Sequence, residues 1–357
     1  MMSDLIPGRA RRRSGKPRLA AVVVALASAL VMTACGSSGG DDKPQQTPAA
    51  GGGQSAPASA GTFPVTVEHK YGSTEVKSEP KKIVTLGLSD HDTVLALGLK
   101  PVGAIDWFKE KPYGKWPWAK DLWGPTPPEI VGERDEYNTE KILKLQPDLI
   151  IAVYSGMKKE QYDTLSKIAP VVAQPKGFQD YGAPWQDMTR HIGKSLGRAA
   201  QTDKLITDID ARFKAAREKH PEFAGKTVTV ADNFEPGIFS AFTKTDPKVI
   251  FFTELGFATN PKVDALTKPG DNVVDLSAEK LDVVDSDRLI WVTSGAEHDA
   301  RIKAEPFYTK LKVVTEKRDL FVPYENPDIG AAFSFNTVLS IPYAIDNVLP
   351  LLAAKAG

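Results

Sequence analysis

Thr139-Glu140-Lys141-Ile142-Leu143-Lys144-Leu145-Gln146-Pro147-Asp148-Leu149-Ile150-Ile151-Ala152-Val153 decides the fold. Its first half spaces apolar residues as a helix does, and its second half is the short apolar run of a strand buried on both faces. The same unit returns as Ala278-Glu279-Lys280-Leu281, followed by Asp287, Ile290 and Val292, at a constant offset of 139 residues. A helix-to-strand unit that appears once in each half predicts two lobes built alike.

Working outward, Lys82-Ile83-Val84-Thr85-Leu86-Gly87 reads as a strand. Asp92 to Gly98 reads as a helix stopped by glycine, and Pro101-Val102-Gly103-Ala104-Ile105 as the next strand. Strand, helix, strand makes a βαβ unit and a parallel sheet. A hairpin is predicted before it, Val65–His69 with Gly72–Val76, where β-branched residues flank a turn. Residues 186–220 hold no strand-like run, while Leu205, Ile209 and Phe213 recur every four positions among charges, which predicts a long helix from about Gln201 to Lys219. After Pro221 the strand Lys226-Thr227-Val228-Thr229-Val230-Ala231 restarts the alternation. The predicted fold class is α/β: two Rossmann-like lobes with parallel sheets, 63–185 and 222–357, joined through a linker, 186–221, by a single long α-helix.

The N-terminus has the layout of an export signal over residues 1–34. A basic segment (Arg9, Arg11, Arg12, Arg13, Lys16, Arg18) precedes an apolar run from Leu19 to Met32, then Thr33 and Ala34 stand before Cys35. That run is short for a membrane span, which needs about 20 apolar residues. Cys35 is the only cysteine, so no intramolecular disulfide is possible. Val31-Met32-Thr33-Ala34-Cys35 resembles a bacterial lipobox, which implies diacylation of the Cys35 thiol and attachment to the extracytoplasmic face of the cell membrane. After Cys35, Gly36 to Gly61 is Gly, Ser, Ala, Pro, Gln and Thr with two Asp and one Lys, too poor in apolar surface to fold, and a flexible tether is expected over 35–62. Arg11 to Arg13 also raise a twin-arginine export route.

Basic and acidic residues balance over the chain at 45 each, but six of the basic ones fall in the leader against Asp4 alone, so the body is mildly acidic. That argues against nucleic acid as a partner. Hydrophobic residues at 41% and charged residues at 25% supply ample material for packed cores. A Gly-x-x-x-x-Gly-Lys phosphate loop and a His-Glu-x-x-His zinc motif are both absent. A nucleophilic cysteine is not expected, because the only one, Cys35, is the lipobox cysteine at the end of the leader. The chain is expected to bind rather than catalyse.

From Ile83-Val84-Thr85-Leu86-Gly87 through Leu97-Gly98-Leu99-Lys100-Pro101-Val102-Gly103, Thr139 to Ile151 and Ser277-Ala278-Glu279-Lys280-Leu281, the chain resembles the periplasmic binding proteins with a rigid helical backbone that serve importers of ferric siderophores, haem and vitamin B12. The resemblance implies capture of a ferric siderophore between the lobes, no cofactor, monomeric behaviour, and delivery to the permease dimer of an ABC transporter. By position it implies that Glu140 and Glu279 dock to the permease and that Trp107, Arg134, Tyr154, Phe234 and Asn336 contact the ligand. The residues agree in kind. Aromatics give broad apolar contact, and an Arg meets carboxylate, hydroxamate or catecholate oxygens. Arg134 also has Asp135 and Glu133 as neighbours to pair with, both Glu sit where acids are favoured at helix N-termini, and Phe333 and Phe335 suit a core. His91 and His298, each in an acid-rich loop, keep a metal-binding version of the fold open, and His91 or Tyr154 a haem-binding one. Of another class is a surface scaffold or adhesin lipoprotein, which binds no small ligand.

Overall fold

The computed structural model describes residues 61–107, 109, 111 and 115–355, all within one compact unit, Ser55–Gly357. The export signal, Cys35 and nearly all of the expected tether lie outside the described residues.

Lobe one opens with the predicted hairpin, β1 (Val65–His69) and β2 (Gly72–Val76), antiparallel with Val65 opposite Val76. Its sheet contains β3 (Ile83–Thr85), β4 (Gly103–Asp106), β5 (Glu129–Glu133), β6 (Glu136–Tyr137), β7 (Leu149–Ala152) and β8 (Val171–Ala173), in the order β6-β5-β4-β3-β7-β8. All pairs are parallel except β5 with β6. The central strands β3 and β7 are buried at every residue, as suits their β-branched and aliphatic side chains.

Lobe two contains β9 (Thr227–Asp232), β10 (Phe239–Phe242), β11 (Ala258–Thr259), β12 (Val273–Leu276), β13 (Arg288–Thr293) and β14 (Asp319–Pro323), ordered β12-β10-β9-β13-β14 with β11 against β9. Here the expectation of a parallel sheet needs correction: β10 runs antiparallel to both β9 and β12. The reason is the connection. Asn233-Phe234-Glu235-Pro236-Gly237-Ile238 is too short for a crossover and supplies a hairpin turn instead.

The internal repeat is realised in the strands. Asp148 accepts the backbone N–H groups of Lys81 (2.8 Å) and Lys82 (2.9 Å), just ahead of β3. Asp287, 139 positions later, accepts Thr227 N–H (2.8 Å) and its hydroxyl (2.9 Å) at the head of β9. The helical halves differ: Thr139–Leu145 is an α-helix capped by the Asn138 side chain, while Ala278–Val284 is a 3₁₀ helix.

The stretch between the lobes holds two helices rather than one. Trp185–Ser195 ends at Gly197, whose φ of +64° breaks the path, and Ala199–Lys219 follows as the long helix of 21 residues. The first helix sends Ile192 and Leu196 into a lobe-one core with Val94 and Val172. The second sends Ile206, Ile209, Phe213 and Ala216 into the lobe-two core. Arg198, at the joint, pairs with Glu79 of lobe one at 2.7 Å.

Candidate ligand-binding cleft

The parallel strands of each lobe aim their C-terminal loops at one edge, the usual place for a ligand in an open α/β sheet. Asp90, the first residue of the helix Asp90–Ala96 that follows β3, is the anchor of this edge in lobe one. Its buried carboxylate accepts N–H bonds from Gly87 (3.0 Å), Val153 (2.8 Å) and Tyr154 (3.0 Å). Burial pushes this carboxyl up to about 6, with the three N–H bonds pulling the other way. The loop after β7 is thereby tied to the loop after β3, and Tyr154 is fixed in place. Burial, with the charge of Asp246 from lobe two, holds the Tyr154 phenol in its protonated form well above the ordinary range.

Tyr154 meets an aromatic that the sequence did not single out. The ring of Tyr181 stands edge-on to both Tyr154 (5.6 Å, 80°) and Trp107 (5.7 Å, 89°). Its backbone is left-handed, with φ of +61°, and its hydroxyl donates to Asp135. Asp135 also accepts from the Tyr137 hydroxyl and Gly156 N–H, each at 3.1 Å. Burial first, then the bond and charge of Asp135, keep the Tyr181 phenol protonated. Beside this group Arg134 is exposed, in a left-handed turn (φ +51°) whose N–H reaches the Asp106 carbonyl at 3.4 Å.

A cavity of about 170 Å³ opens next to Tyr181. Tyr181 to Trp185 and Met188 line it from one side of the chain, Lys244, Thr245, Pro247 and Ile250 from lobe two, and Phe335 and Asn336 line it as well. Asn336 closes the helix Ile329–Phe335 in a left-handed conformation, with φ of +50°. The residue is 3% exposed and its amide oxygen has no partner. An unpaired buried acceptor costs about 1–3 kcal/mol, so a ligand or water that bonds it recovers that amount. Behind Asn336 lies a second, water-sized cavity with Ser89, Asp90, Thr93, Thr189 and Thr337 on its walls.

The structure therefore brings Trp107, Tyr154 and Asn336 together around Tyr181, with Arg134 beside them. Phe234 belongs to a separate rim group on lobe two. It is 40% exposed, with its ring 5.1 Å from that of His298. Arg301 donates to Asn233 Oδ1 there at 3.0 Å and to the Asn233 carbonyl. Glu140 and Glu279 are both exposed, each in the first turn of its helix.

The expectation that His91 reaches the cleft is overturned. It is buried against Trp123 (5.5 Å between rings), faces Asp92 at 3.5 Å, lines neither cavity, and burial pushes it down to about 4. Among the described residues no three His, Cys, Asp or Glu cluster as a metal site. Phe333 is core, between Phe251 (5.8 Å) and Phe252 (5.3 Å). Phe335 packs instead at the junction of the lobes, on Trp116 (5.0 Å) and Trp118 (6.0 Å). Tyr181, Trp185, Met188 and Lys244 escaped the sequence reading because no periodicity marks them. The one available signal was an aromatic within the turn-rich stretch Gly177 to Pro184.

Comparison with known proteins fits this architecture. The Fe(3+)-citrate-binding protein YfmC of Bacillus subtilis is 30% identical over 257 residues, 70% of this chain and 75% of its own. A periplasmic solute binding protein of Mycobacterium smegmatis superposes with a TM-score of 0.73 at 31% identity, covering 82% of this chain and 99% of that one. PiaA of Streptococcus pneumoniae, solved with ferrichrome, gives a TM-score of 0.69 at 28% identity over 82% of this chain and 98% of its own. The periplasmic binding protein family matches residues 83–322, more than half of the length, and the chain belongs to that family.

Proposed function

We propose that the protein captures a ferric siderophore in the cleft and delivers it to an ABC-type importer for iron uptake, from a lipid anchor at Cys35 on the extracytoplasmic face of the cell membrane. One observation carries this reading. Among the described residues the cleft presents aromatic faces and cationic side chains in place of a metal-ligating set: the rings of Trp107, Tyr154 and Tyr181, with Arg134 and Lys244 nearby. Such a surface suits a ligand that brings its metal already wrapped in anionic oxygens. Relatives that bind ferric citrate or ferrichrome support the same class. The protein binds and releases without chemistry on its cargo.

Tryptophan fluorescence of the protein, titrated with ferric citrate, ferrichrome, the iron-free chelators, haem, vitamin B12 and ferric chloride, tests the cargo. Saturable quenching by a ferric chelate, lost in Trp107→Phe and weakened in Arg134→Ala, is the expected result. Saturation by haem or vitamin B12 alone keeps the fold and replaces the cargo, and silence across the panel favours a scaffold lipoprotein. Docking through Glu140 and Glu279 predicts that the double alanine variant binds cargo normally yet fails to support growth on chelated iron; growth at the wild-type rate removes that role.

A further inference from the structure

The two lobes meet through more than the linker. Trp116 and Trp118 of lobe one stack on each other (5.1 Å, 7°) and pack on Phe335 and Tyr324 of lobe two. Lys115 pairs with Glu325 at 2.7 Å. At the centre of this junction is a carboxyl group in lobe one's first helix, Asp92, which is 2% exposed.

Its Oδ2 receives two donors, Thr337 Oγ1 from lobe two at 2.5 Å and Trp118 Nε1 at 3.2 Å. The donors have no alternative. An indole N–H only donates, and the Thr337 hydroxyl already accepts N–H bonds from Leu339 (3.3 Å) and Ser340 (3.0 Å), so its own proton goes to Asp92. The other oxygen, Oδ1, is buried with no hydrogen-bond partner and lies 3.5 Å from His91 Nε2. Thr337 follows directly on Asn336, and the two residues share the wall of the water-sized cavity behind the cleft.

We propose that Asp92 is an inter-lobe pin: through Thr337 it holds the Asn336 corner of lobe two against lobe one and so sets the depth of the cleft and its affinity for cargo. It is a positioning residue, since it reaches the cleft only through Thr337. The affinity part rests on the ferric-chelate reading above; the pin itself does not.

The pin responds to protons. Burial pushes the Asp92 carboxyl up to about 7, while its bonds to Thr337 and Trp118 pull it back. A proton on Oδ1 leaves both bonds to Oδ2 intact, so the neutral form keeps the pin without the desolvation cost of a buried charge. Among the described residues, the titratable groups facing it are His91, neutral above about pH 5 because burial pushes it down to about 4, and Asp90, whose carboxylate is turned to its own N–H donors. The segment carrying Trp118 and the Asn336 corner contribute an indole N–H and a hydroxyl. When the lobes part, Asp92 is hydrated and ionises near its ordinary 3.8. The joined state therefore binds the extra proton, and its advantage falls as pH rises between those values: about tenfold from pH 6 to pH 8.

Hydrogen exchange of the segment 329–340 in the full chain carrying Cys35→Ala, corrected for intrinsic exchange, reads the pin without cargo. Quenching by ferric citrate and ferrichrome reads its effect on the cleft. We expect Asp92→Ala and Thr337→Val to lower protection and affinity about tenfold at pH 6, with Thr337→Ser restoring both. Asp92→Asn, an uncharged acceptor, should match wild type at pH 6 and lose the decline towards pH 8. Protection in Asp92→Ala and Thr337→Val within twofold of wild type overturns the pin. Asp92→Asn declining with pH as wild type does overturns its dependence on protons. A wild type that binds neither chelate ends the cargo reading, and the exchange arm alone then decides the pin.

Discussion

Lobe one and lobe two share the placement of their central strands but fill the space around them differently. The buried members of the two lobe-one cores are aliphatic apart from Met157, with Val84, Ile150, Ile151 and Val172 typical. The lobe-two cores are built on rings: Phe213, Phe223, Phe251, Phe252, Phe257 and Phe333 in one, Trp291 and Tyr308 in the other. Lobe one instead displays its aromatics at the cleft and the junction, as Trp107, Tyr154, Tyr181, Trp116 and Trp118. One sheet plan thus accommodates two distributions of the same residue type, and the rings at the cleft are those the core does not consume.

The largest test of that contrast is thermodynamic. Phe251→Ala, which empties the centre of a ring cluster, is expected to cost about 3–5 kcal/mol by urea denaturation, whereas Ile150→Val in lobe one costs about 0.5–1.5 kcal/mol. Equal losses would mean that the lobe-two rings are loosely packed. The contrast also predicts where binding energy resides. Tyr181→Ala should weaken capture of a ferric chelate about thirtyfold, as loss of a central aromatic anchor does, and Phe234→Ala on the exposed rim less than fivefold. The reverse order would move the anchor to lobe two.

A third test compares buried acids. Burial raises Asp90 to about 6 and Asp92 to about 7 in lobe one, and Asp232 to about 6 in lobe two. Each binds its proton more tightly when folded than when unfolded, so its contribution is full below about pH 4 and is lost as pH climbs through the folded value. Melting temperature should accordingly decline between pH 5 and pH 8, and Asp92→Asn should remove more of that slope than Asp232→Asn. The smallest effect separates the two repeat helices. Asn138→Ala removes a cap that accepts Lys141 N–H at 3.0 Å and should cost about 1 kcal/mol. Ser277 makes no capping bond, so Ser277→Ala should change stability by less than about 0.5 kcal/mol.

Much of this plan was legible in the chain. The β-branched run Ile83–Thr85 and the apolar run Leu149–Ala152 announced the central strands, and the offset between Asp148 and Asp287 announced the second lobe. The reversal of β10 was not legible, because it depends on how far a connection reaches, which periodicity does not record. The 3₁₀ helix Ala278–Val284 was missed for a similar reason: Val283-Val284 with Asp282 and Asp285 is a poorer helix former than Leu143-Lys144-Leu145, a margin of only tenths of a kcal/mol per residue. At the cleft, residues following a strand were readable from strand position, as with Trp107 and Tyr154. Tyr181 and the Asp92 junction arise from long-range packing alone.

The helix Ala199–Lys219 acts mechanically as a lever arm. Its 21 residues give a length of about 31 Å. A tilt of about 2° at the Gly197 joint moves the far end by about 1 Å, roughly the difference between a made and an unmade hydrogen bond. A change of an ångström at the far end of that helix therefore needs no more than a small rotation at its near end.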